Sequence, residues 1–185
     1  MPSWAIDATS VPSCAKMRAA PRPRPPDALG ELNHRGRLRL VRDFIRTAGD
    51  EIQGLSDDPQ TIIDASSLLL REGHWSVGIG VAAVETPLPM HANAGRGPGF
   101  LMARTAIDEA KHHHPPIRLI GSGSPGPTED SDVLLRLLAT IWQRRTPEGW
   151  QALAAMADDW LMPMGTRFIA APSAWVGALA EVAAA

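Results

Sequence analysis

At 185 residues, 44% hydrophobic, 21% charged and with a net charge of −2, the chain is long enough to bury a core and has an ordinary globular composition. This argues against a disordered, fibrous or disulfide-stapled chain, because the single cysteine, Cys14, has no partner within it. The most apolar stretch, Phe168 to Ala185, is rich in alanine and is interrupted by Pro172 and Glu181, short of the roughly 20 strongly apolar residues of a membrane span.

No membrane partner is therefore expected, and without a basic-then-apolar leader the protein is read as cytoplasmic. Charge is unevenly spread: residues 1–49 carry +5 and residues 50–185 carry −7. Residues 1–43 read as a basic, proline-rich, poorly ordered arm. It includes one candidate strand, Ser3 to Ala8, that contains Asp7. The run Pro21-Arg22-Pro23-Arg24-Pro25-Pro26 favours extended polyproline geometry, suited either to a solvated connector or to an arm lying on nucleic acid.

Leu38 to Ser56 has the pattern of two strands joined by a tight turn at Gly49-Asp50. Asp58-Pro59 supplies a cap and a first-turn proline for a helix over about 59–72, ended by Gly73. Trp75 to Val84 is rich in β-formers, and its alternating Gly78 and Gly80 leave room for another backbone or a ligand. A loop over 86–99, a helix to about Lys111 and a strand from Ile117 to Ile120 follow. The Gly-Ser-Pro run Gly121 to Pro127 places a domain boundary near 124. Beyond it a helix carries Val133, Leu134, Leu137, Leu138 and Ile141 on one apolar face, and a second helix starts at Thr146-Pro147-Glu148.

The element order predicts an α+β fold, a ferredoxin-like or nucleotide-cyclase-like sandwich over residues 44–123, with a small all-helical region over 124–185. Ile45-Arg46-Thr47-Ala48-Gly49-Asp50-Glu51-Ile52, followed by Ser76-Val77-Gly78-Ile79-Gly80-Val81-Ala82, resembles the core of GGDEF-type and class III nucleotide cyclases. Closer still is the SatD-like family, which the chain is similar to in Gly49-Asp50-Glu51-Ile52-Gln53, Gly78-Ile79-Gly80-Val81-Ala82 and Gly97-Pro98-Gly99-Phe100 with Ala103-Arg104.

That resemblance implies a metal set of Asp7, Asp50 and Glu51 holding Mg²⁺, and nucleotide contacts from Arg46, Gly49, Gly78, Gly80 and Arg104. Three positions depart from the cyclase pattern. Ala48 replaces the first glycine of the turn, Arg46 stands where class III cyclases have a base-reading lysine, and Phe100 stands where they have an asparagine one helical turn before a phosphate-stabilising arginine, which is kept here as Arg104. Transition-state charge is shared among several such groups, so the resemblance implies no catalytic residues and a domain without turnover.

Lys111-His112-His113-His114 reads as a cationic helix end, since consecutive histidines do not converge on one ion. Met164 to Leu179 is similar to a helix-turn-helix unit, but its second helix has no Arg, Lys, Asn or Gln to reach base edges, and residues 151–185 hold one arginine and three acids. The tail is thus expected to be a helical packing or homodimer element. The sequence predicts a SatD-like regulatory or scaffold protein with a nucleotide as ligand. The alternatives are a DNA-binding transcriptional regulator using tail and arm, and a metal-dependent nucleotidyl cyclase-like enzyme.

Overall fold

The computed structural model describes residues 3–10, 26–34, 38–47, 51–122 and 125–160, with residues 3–10, 26–28, 34, 125 and 156–160 described through the backbone alone. Five strands, β1 (Ser3–Ser10), β2 (Leu40–Arg46), β3 (Glu51–Ser56), β4 (Trp75–Ala82) and β5 (Ile117–Gly121), form one sheet in the order β2-β3-β1-β4-β5. β1 is antiparallel to both β3 and β4, β2 is antiparallel to β3, and β5 is parallel to β4. With α1 (Pro26–His34) between β1 and β2, and α2 (Pro59–Arg71) between β3 and β4, the first four strands make the split βαβ arrangement of a ferredoxin-like α+β sandwich. Two helices extend it, α3 (Pro98–Ala110) before β5 and α4 (Pro125–Arg144) after it. A fifth, α5 (Pro147–Trp160), follows α4 and makes the described part of the C-terminal region helical.

The sheet and its core draw on residues from both sides of the divisions expected from composition. β1, assigned to a poorly ordered arm, is the central strand, with Asp7 in register with Gln53 on one side and Gly78 on the other. α1 opens on Pro26, the last proline of the arginine-proline run, where a missing N–H costs nothing in a first helical turn. Nor does the fold divide at 124. Leu135 and Ala139 of α4 are buried in the same core as Ile117 and Leu119 of β5 and Ile62, Ala65 and Leu69 of α2. That core fills the space between α1, α2 and α4 and one sheet face, while α3 covers the other.

Local chemistry explains the boundaries. Asp58 accepts from the Thr61 backbone N–H at 3.0 Å and its hydroxyl at 2.7 Å, capping α2 as expected, and Gly73 follows the helix at φ +74°. The edge strand β2 is tied to α1 by Asn33, whose side chain donates to the Phe44 carbonyl at 2.8 Å and accepts from the Phe44 N–H at 2.9 Å, imitating a strand neighbour. At the far edge, Arg118 of β5 is held from both layers. It binds Glu109 of α3 at 3.0 Å and also Asp132 of α4, whose other oxygen accepts from the Leu119 N–H at 2.8 Å.

α4 departs most from expectation. The face it buries is the less apolar one, Thr128, Ser131, Asp132, Leu135 and Ala139. The aliphatic face is turned outward, with Val133 61%, Leu137 57% and Ile141 45% exposed. Among the described residues no helix is long and apolar enough to cross a membrane.

Candidate functional site

β3 alternates its side chains between the two layers. Ile52 joins the core under α1 and α2, whereas Glu51 and Leu55 face the α3 side. There Arg104, two turns into α3, donates through Nη1 to both Glu51 oxygens at 3.2 and 3.3 Å. Two residues expected to serve a nucleotide, one for its metal and one for its phosphate, are thus brought together and bind each other. The guanidinium is half exposed and the carboxylate mostly covered, so the pair sits at the surface with its acidic member inward.

The remaining expected residues are placed as follows. Arg46 ends β2 opposite Ile52, exposed and on the strand next to Glu51. Asp7 is positioned by backbone register only, and its side chain lies outside the described residues, as do Gly49 and Asp50 altogether. Gly78 and Gly80 are buried, and α3 occupies the space they leave. A Cβ at Gly78 would run into the backbone of Ile107 and Ala103, and one at Gly80 into Gly99 and Ala103. Of the two uses expected for that space, it serves close approach of a helix backbone, and neither glycine offers surface to a ligand.

Phe100 explains one departure from the cyclase pattern. It is buried with Leu55 and Ala103, against Val41, Val84 and Leu88, and its ring covers the Cα of Gly95. An apolar anchor therefore stands where an asparagine would present an amide. The loop before α3 is fastened to the sheet by Arg42, which donates to the carbonyls of Leu88 and Pro89.

Sequence reading missed two features. One is the Glu109–Arg118–Asp132 cluster, for which an arginine inside a five-residue apolar strand was the only signal. The other is a groove of about 560 Å³ where α2 and α4 end, lined by Leu70, Arg71, His114, Pro115, Gln143 and Arg144. Arg71 and Arg145 both stack on Trp150 of α5, at 4.2 and 5.0 Å from the ring centroid. The cations of this groove lie at the negative ends of two helices, which accounts for their placement.

His112, His113 and His114 are all exposed, and among the described residues no three His, Cys, Asp or Glu side chains cluster to hold a metal ion. The helix-turn-helix-like residues 164–179 and the arginine-proline run 21–25 lie outside the described residues. Compared with known proteins, the chain matches no family model, no curated protein and no solved structure.

Proposed function

We propose that this chain is a regulatory or scaffold module of the SatD-like kind, in which a nucleotide-cyclase-like domain binds a nucleotide without converting it. The observation that carries this reading is the Arg104–Glu51 pair. Its arginine sits on the helix where cyclases hold phosphate charge, and it is already neutralised by a carboxylate from the hairpin strand. A phosphate must compete with Glu51 for Arg104, which favours weak, reversible anion binding over the fixed cationic clamp that phosphoryl chemistry requires. The burial of Phe100 in an apolar cluster supports the same reading, since it removes a second polar group from the phosphate side.

The test mixes the full chain with GTP or ATP and Mg²⁺ or Mn²⁺, following pyrophosphate release and, by calorimetry, binding. Binding without pyrophosphate is expected. Glu51→Gln frees Arg104 and should tighten nucleotide binding by about two- to fivefold, the scale of a surface ion pair. Arg104→Ala should weaken it by a similar factor. If Glu51 instead served as a metal ligand, Glu51→Gln would weaken binding in the presence of Mg²⁺, and pyrophosphate formation would replace this reading with an enzymatic one.

A further inference from the structure

We propose that the outward face of α4 is a self-association surface on which two copies of this chain pair antiparallel, with Leu137 of each copy meeting Leu137 of the other. α4 is 20 residues long, about 30 Å, and its buried face is fully used: Leu135 is 6% exposed and Ala139 0%. On the opposite face Val133, Leu137 and Ile141 follow one another at four-residue spacing, with Leu138 on the shoulder at 39% exposure. A run of large aliphatic side chains on one helix stripe, with nothing of the described fold above it, marks an interaction surface.

The ends of the stripe identify the occupant. Asp130 lies seven residues before Leu137 and Arg144 seven residues after it, so both fall on the stripe two helical turns from its centre, and both are exposed. Among the described residues neither forms an ion pair. A two-fold axis through Leu137 sets Val133 against Ile141 of the second copy and Asp130 against Arg144 of the second copy, twice over. The stripe is thus complementary to itself in both shape class and charge, the condition an isologous interface must meet. A parallel pairing would instead oppose acid to acid and arginine to arginine.

Sedimentation of the full chain in a Cys14→Ser background tests the pairing. A dimer is expected, and Leu137→Asp should make it monomeric while leaving its far-ultraviolet circular dichroism unchanged and its melting temperature independent of protein concentration, because the side chain is 57% exposed and lies outside the monomer core. Asp130→Arg or Arg144→Asp alone turns two attractive contacts into two repulsive ones and should raise the dissociation constant about tenfold or more, while the double charge swap restores it. Leu137→Cys should give a disulfide-linked dimer on mild oxidation, whereas Val133→Cys should do so only together with Ile141→Cys. A monomeric full chain, which would leave residues 161–185 as the cover of the stripe, overturns the proposal. So does a dimer indifferent to Leu137→Asp, or single charge reversals without effect, the signature of parallel pairing.

Discussion

Gly78 and Gly80 act through what they lack. Each sits where the backbone of α3 lies closer than a Cβ tolerates, so the glycine spacing of β4 records the path of the helix across the sheet. Because the contacting atoms are backbone, no side chain can swing away to relieve the clash. Gly78→Ala and Gly80→Ala should each cost about 1–3 kcal/mol, seen as a lower urea midpoint. Unchanged midpoints would mean that α3 does not lie on these residues. The same close approach allows the short α3 residues Gly99, Ala103 and Ala106 to be buried, and sets Arg104 over the hairpin strand to meet Glu51.

Among the elements, α4 shows how a helix chooses a face. Its most apolar stripe is exposed, and Asp132 explains why the poorer one is buried. That carboxylate satisfies both the Leu119 N–H and Arg118, while the small Ser131 and Ala139 let the helix settle close to β5. Asp132→Ala leaves the Leu119 amide unanswered and Arg118 with Glu109 as its remaining carboxylate, and should cost about 2–3 kcal/mol of stability by chemical denaturation. Asp132→Asn, which keeps one acceptor, should lose less. Hydrophobic periodicity ranks faces by apolarity alone, so it selects Val133, Leu137 and Ile141 and cannot register a buried polar anchor. At α5 the sequence signal was sufficient. Thr146 accepts from the Gly149 N–H at 3.2 Å, and the Glu148 carboxyl is held below its usual pKa by its own backbone N–H and by Thr146, as first-turn capping predicts.

For the whole molecule, the elements set by local rules were legible. The β2–β3 hairpin, the capped helix from Pro59, the glycine-spaced strand and α3 all stand close to their expected bounds. What sequence could not convey was long-range assignment. Nothing within Ser3 to Ser10 reveals that its hydrogen-bonding neighbours are residues 51–56 and 75–82. The candidate site was half legible in the same way: Glu51 and Arg104 could be named from a resemblance, but their mutual neutralisation depends on where α3 crosses the sheet. Ile6 pairs with Gly54 on one side and Ile79 on the other, so Ile6→Pro removes a ladder donor in the middle of the sheet and should abolish cooperative unfolding in circular dichroism.

The central place of β1 also bears on the chain's synthesis. Translation delivers this strand before either of the segments that flank it, so during elongation it has two open edges and no mate. The hairpin and its helix can organise as they emerge, but the keystone must wait until Ala82 has been made before it is gripped from both sides. Nascent chains stalled short of that residue should therefore be the ones that chaperones hold and proteases cut.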